Sequence, residues 1–209
     1  VHGRFLVRPA FSPPPVGMLF GFHGYAQTAE MLHAELEAIP GTGAWITVSV
    51  QGLHQFYTRA GLVVASWMTR QDRELAIADN LAYVRTVVAR VRAEAPAGVP
   101  AVFLGFSQGA AMAFRAAAHV PGSAGVVVLA GDVPPELRAA PTRLPPVLLG
   151  RGHAEEWYTR EQLAADLAWL ETTGTPATLC EFEGGHEWTD AFRSAAGDFL
   201  ARIASGGPR

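Results

Sequence analysis

Residues 104–114 read LGFSQGAAMAF and carry Gly105, Ser107 and Gly109 in a G-x-S-x-G pattern. A serine hydroxyl is a weak nucleophile. It attacks a carbonyl when a neighbouring base takes its proton and fixed donors meet the charge that builds on the carbonyl oxygen. Further along stand Asp132 in AGDVPPE, Glu155 and Glu156 in GRGHAEEWY, and His186 in EGGHEW. His186 suits the base, because an imidazole both accepts and returns a proton near neutral pH. A carboxylate is then needed to set its tautomer and stabilise the imidazolium. Glu155 is the first choice for that role, with Asp132 and Glu156 as alternatives.

The flanking residues have steric and electrostatic reasons. Gly105 and Gly109 bracket a sharp strand-to-helix turn, where side chains would collide as the chain doubles back. The helix that follows points its first N–H groups and the positive end of its dipole at the site. The backbone N–H of Gln108 is therefore a candidate oxyanion donor, and that of Tyr25 in HGYAQ is the second. The other histidines compete poorly with His186. His153 precedes the carboxylates and is not on the last strand, His23 reads as structural, and His54 as a pocket residue. His2, His33 and His119 read as surface or packing residues.

These residues need a scaffold that brings distant segments to one edge. Apolar, β-branched runs alternate with stretches of helical period. Strands are expected at GRFLVRP, VGMLFGFHG, AWITVSVQG, PAVFLGF, GVVVLAG, PPVLLGRG and PATLCEFEGG. Helices are expected at TAEMLHAELEAI, with Thr28 as N-cap, at residues 72–95, at SQGAAMAFRAAAHV, at TREQLAADLAWLETTG and at TDAFRSAAGDFLARIAS. In the second of these the apolar positions are Leu75, Ala78, Leu81, Val84 and Val88. Residues 53–71 read as a long connection, and the tail SGGPR as frayed. This alternation predicts an α/β fold with a mostly parallel sheet of about seven strands covered on both faces, and one domain over 1–209. In such sheets ligands bind beyond the carboxyl ends of the strands. Ser107, the candidate acids and His186 all follow strands at that edge.

Composition narrows the alternatives. The chain has 209 residues, 49% of them hydrophobic and 17% charged, which is the balance of a globular protein. A net charge of −3 without basic runs argues against nucleic acid as a partner. The single cysteine, Cys180, excludes an internal disulfide and reads as a small buried residue of a cytoplasmic protein. No run is long and apolar enough to span a bilayer, and the opening apolar run is too short for a secretory signal. An exposed edge strand or apolar helix leaves room for a homodimer.

With these residues in view, the chain resembles the phospholipase/carboxylesterase family of α/β-hydrolases, which includes bacterial carboxylesterases and acyl-protein thioesterases. The resemblance runs over nearly the whole chain. It rests on FHG at residues 22–24, GFSQGAAMA, GRGHAEEWY and GGHEW. It implies the order nucleophile, acid, histidine and no large cap domain. Glu155 stands where the family more often has Asp, Arg151 where His is common, and Tyr25 where a smaller aliphatic residue is usual.

The expected activity is serine carboxylesterase, with a small-molecule ester or thioester as substrate and no metal or cofactor. A thioesterase or lysophospholipase would use the same residues. A non-catalytic binding protein on the same fold is the alternative of a different class. Trp67, Met68, Trp157 and Trp188 are candidate pocket residues, and apolar walls would favour short or medium acyl or aryl esters over charged ones.

Overall fold

The computed structural model describes residues 2–69, 71–140 and 142–206. The last three residues of the expected frayed tail lie outside that range. Among the described residues, nine strands and six α-helices follow one another: β1 (Phe5–Arg8), β2 (Gly17–Phe22), α1 (Ala29–Ala38), β3 (Trp45–Val50), β4 (His54–Tyr57), β5 (Val63–Ser66), α2 (Arg73–Glu94), β6 (Ala101–Phe106), α3 (Gln108–His119), β7 (Ser123–Leu129), α4 (Pro135–Ala139), β8 (Val147–Gly152), α5 (Arg160–Thr172), β9 (Ala177–Phe182) and α6 (Asp190–Ala204). Seven strands form one sheet in the order β1-β3-β2-β6-β7-β8-β9, parallel except for β1, which pairs antiparallel with β3 at the edge.

The sheet is buried on both faces, so its inner strands are mostly apolar, with Thr47 and Ser49 of β3 and Arg151 of β8 among the polar residues buried in them. Phe20, Phe103, Val126 and Leu149 face one cluster, roofed by α2, α3 and α5. Their neighbours Leu19, Val102, Val127 and Leu148 face the other, roofed by α1 and α6. This is the two-residue period of a pleated strand. Helix starts are fixed locally. Thr28 caps α1 as expected, Thr189 caps α6, and Thr159 with Gln162 forms a capping box at α5.

Two expectations are corrected. The connection at residues 53–71 contains a β4–β5 hairpin that stands apart from the main sheet. Its strands are four residues each, too short to show an alternation against their apolar surroundings. In α2 the buried stripe is Ala76, Asn80, Val84, Val87, Val88 and Val91, while Leu75 and Ala78 face solvent. Asn80 sits on the buried face because its Nδ2 donates to the Trp67 and Ala76 carbonyls, at 2.6 and 2.7 Å. An apolar pattern read from sequence skips such a residue.

After β2 the chain moves outward to β3, then crosses back to β6 on the other side of β2. The carboxyl ends of β2 and β6 are therefore a topological switch point, the place where such sheets hold ligands.

Candidate active site

Ser107 occupies the turn between β6 and α3 with φ 54° and ψ −120°, a conformation that L-residues rarely adopt. Its N–H donates to the Leu129 carbonyl at 2.9 Å, which ties the turn to β7. The flanking glycines are there for space. A Cβ on Gly105 would overlap the Gly109 carbonyl, and one on Gly109 would overlap the carbonyl oxygens of Phe22 and His23. The end of β2 thus lies directly against the start of α3.

The Ser107 hydroxyl does not cap its own helix. It lies 2.8 Å from His186 Nε2, and His186 Nδ1 lies 2.7 Å from Glu155 Oε2. A carboxylate only accepts, so Nδ1 carries the proton and Nε2 is free to accept from the serine. The Glu155 side chain is buried, and its Oε1 accepts from the backbone N–H groups of Trp157 and Tyr158, at 2.7 and 3.2 Å. The carboxylate is thus fully bonded, and its remaining oxygen is aimed at the imidazole. The His186 ring rests on Phe106, with centroids 5.0 Å apart. Glu156 is exposed, and Asp132 makes no hydrogen bond among the described residues. The structure therefore brings Ser107, His186 and Glu155 together and leaves the two alternative acids apart from them.

The acid loop and the histidine loop also touch through their backbones. Ala154 N–H donates to the Gly184 carbonyl at 2.8 Å. A Cβ on Gly152 would overlap the carbonyls of Gly184 and Gly185. Gly152→Ala is therefore expected to force the two loops apart, lowering stability by about 1–3 kcal/mol and any hydrolysis at least about tenfold. Denaturant melts and steady-state rates check both.

At the oxyanion position, Gln108 is the first residue of α3, so its N–H has no intrahelical partner. The Tyr25 N–H has no partner among the described residues either. The Gln108 side chain has a task that the motif does not announce. Its Oε1 accepts from Trp67 N–H at 2.8 Å and its Nε2 donates to the Met68 carbonyl at 3.3 Å, pinning the loop after β5 to the serine turn. Gln108→Ala is expected to keep the fold while raising KM by about three- to tenfold, since two bonds of about 1 kcal/mol each are lost at the pocket wall. Matched kcat and KM measurements check this.

His23 sits in the core. It is fully buried, donates from Nδ1 to the Gly24 carbonyl at 2.7 Å and accepts at Nε2 from Gly52 N–H at 3.0 Å. Burial pushes its pKa down, which keeps it neutral.

Two connected lobes open at this edge. One of about 290 Å³ holds Ser107 and His186. The other, of about 860 Å³, lies under the β4–β5 hairpin, and the two share Met68, Arg73 and Gln108. Of the candidate pocket residues, Met68 and Trp157 line the lobes. Trp67 does not: it is fully buried, packs edge-on against Phe22 and donates its indole N–H to the His23 carbonyl at 2.8 Å. Trp188 packs tilted against Phe106 and edge-on against Phe192, behind the imidazole rather than in the lobe. Tyr25 is exposed and stacks on Phe56, forming part of the larger lobe.

Nor is the smaller lobe apolar. Arg73, Arg115 and Asp132 line it. Buried Arg115 and Arg73 share the Glu136 carboxylate, at 2.6 and 3.1 Å. Ser107, Ala111 and Arg115 stand four residues apart, so helical spacing alone would have placed that arginine on the serine's face. Tyr158 lines the lobe as well, and its hydroxyl donates to Asp166 at 2.7 Å. Asp166 is fully buried and also accepts from Val133 N–H and the Arg138 guanidinium.

Burial pushes the Asp166 carboxyl up to about 6, above its unfolded value. The folded state therefore binds this proton more tightly. The stability Asp166 contributes is full below its unfolded pKa near 4 and is lost as pH rises through about 6. The difference in melting temperature between the wild type and Asp166→Asn is expected to drift in that sense between those pH values.

No protein-family profile matches this sequence, and no curated protein matches it. Solved structures do. Esterase PE8 superposes with a TM-score of 0.78 at 23% identity, over 97% of this chain and all of that one. The chain has the α/β-hydrolase fold. The Bacillus cereus carboxylesterase follows at 0.76 and 15% identity, over 96% of this chain and 94% of that one. Acyl-protein thioesterase 2 of Zea mays matches at 0.75 and 16% identity, over 97% and 100%. After β7, where α/β-hydrolases carry cap insertions, the described residues hold only the five-residue α4. No helix among the described residues is long and apolar enough to cross a membrane.

Proposed function

We propose that this α/β-hydrolase is a serine carboxylesterase acting on short- to medium-chain esters through an acyl-enzyme. The observation that carries this reading is the unbroken line Ser107 Oγ, His186 and Glu155, at 2.8 and 2.7 Å, on a strained strand-to-helix turn. His186 takes the Ser107 proton as Oγ bonds to the ester carbonyl carbon. The oxyanion that forms is met by the N–H groups of Gln108 and Tyr25. Collapse breaks the bond to the alkoxy group, which leaves as the alcohol with the proton from His186. Water then repeats the sequence: His186 takes its proton, hydroxide adds to the acyl carbon, and Ser107 leaves with that proton as the acid is released.

Glu155 holds the imidazole in the tautomer that accepts at Nε2 and stabilises the imidazolium. A thioester enters the same route, its sulfur leaving as the thiol with the proton from His186. The charged wall around Ser107, formed by Arg73, Arg115 and Asp132, suits a compact group better than a long apolar chain. Along a p-nitrophenyl ester series, kcat/KM is therefore expected to fall at least about tenfold from butyrate to palmitate. A preference for palmitate would point to a lipid-directed enzyme instead. The reading itself is tested with a fluorophosphonate probe, which is expected to add one phosphonyl group, at Ser107. A folded protein left unlabelled would overturn it.

A further inference from the structure

Arg151 is the penultimate residue of β8 and is buried, with 3% of its surface exposed. Its guanidinium donates from Nε to the Tyr158 carbonyl at 2.8 Å, from Nη1 to the Gly152 carbonyl at 2.9 Å and from Nη2 to the Glu155 carbonyl at 2.9 Å. All three acceptors are backbone carbonyls of the seven residues that follow it, and no carboxylate is among its partners. Burying a cation without a carboxylate in contact costs several kcal/mol, so a loop that merely needed filling would hold an apolar side chain here.

The three bonds do something an apolar side chain could not. They wind residues 152–158 around one planar group, with carbonyls turned towards the guanidinium. The N–H groups of Trp157 and Tyr158 are then turned towards the Glu155 carboxylate. Only the fixed fork of an arginine reaches three carbonyls in these directions; a lysine offers a single point charge. We propose that Arg151 is a positioning residue, holding the acid loop in the curl that aims Glu155 Oε2 at His186. The inference rests on the esterase reading above. The glutamate carboxylate sits on a longer stem than aspartate, so its aim depends on where the backbone is held.

The test is a double-mutant cycle in the full chain with Arg151→Lys and Glu155→Gln, reading kcat and KM on p-nitrophenyl acetate. Arg151→Lys alone is expected to lower kcat about 10- to 100-fold with KM changed by no more than about twofold. In the Glu155→Gln background the same change is expected to cost less than about twofold more, because the group it positions is gone. Additive losses, or wild-type kcat in Arg151→Lys, would overturn the positioning role while leaving the esterase reading standing. An unchanged kcat in Glu155→Gln would remove the acid itself, and the positioning role with it. Amide exchange in the wild type asks the same question without relying on the folding of any variant. The Trp157 and Tyr158 amides are expected to exchange as slowly as those of β8, and exchange at open-loop rates overturns the proposal.

Discussion

Ser107→Ala is expected to lower kcat for p-nitrophenyl acetate by at least about 10⁴-fold, with KM little changed and fluorophosphonate labelling abolished. The methyl group leaves His186 Nε2 without the hydroxyl it faces at 2.8 Å, and no second hydroxyl is bonded to that nitrogen. The rest of the site stays in place. Ser107 anchors its turn through its backbone N–H on Leu129, and its side chain caps nothing. The melting temperature is therefore expected to change by no more than a few degrees, since alanine keeps the same backbone conformation and only one side-chain hydrogen bond is lost. Residual hydrolysis near the wild-type rate would show that another group attacks the ester, and would end the nucleophile assignment.

The second large effect concerns the acid. Glu155→Gln is expected to lower kcat about 10³- to 10⁴-fold, and Asp132→Asn no more than about threefold. The first figure follows from the hydrogen bonds around the carboxylate. Trp157 and Tyr158 N–H groups both donate to Oε1, so they select the oxygen of the new amide for that position. Its NH₂ is then turned to His186 Nδ1, which must accept. The imidazole proton moves to Nε2, where it opposes the Ser107 hydroxyl instead of receiving its proton. Asp132 has no contact with the imidazole to lose, although it lines the same lobe. Its replacement is expected to act on KM for polar substrates. Parallel kinetics on the two variants decide the ranking, and the reverse order would move the acid to the end of β7.

Much of this arrangement was legible because it depends on local rules. A strand, a glycine-flanked serine and a helix form a turn whose geometry is set by sterics within a few residues. Apolar runs bounded by turns mark parallel strands wherever both faces are covered. The β4–β5 hairpin escaped because its strands are short and lie outside the main sheet. Leu75 was misplaced because Asn80 takes a buried position on the strength of two hydrogen bonds, at residues 67 and 76, that apolar periodicity does not register. Trp67 looked like a pocket residue by type. A buried indole needs a partner for its N–H, and here that partner is a carbonyl in the core.

By itself the sequence determined the α/β class, the order of the main-sheet strands and of the five longer helices, and the short set of residues from which the candidate site is drawn. These follow from backbone sterics and from side-chain period, which act over a few residues. Only the tertiary structure set Glu155, rather than Glu156 or Asp132, against His186 and placed arginines in a lobe expected to be apolar; the wrap of residues 152–158 around Arg151 rests on side-chain-to-backbone bonds that residue types do not announce. The first two outcomes depend on contacts between the loops after β8 and β9 and among α2, α3 and α4, segments separated by about twenty residues or more. A hydrogen bond is won or lost over a few tenths of an ångström, a scale on which the spacing of residues in a chain carries no information.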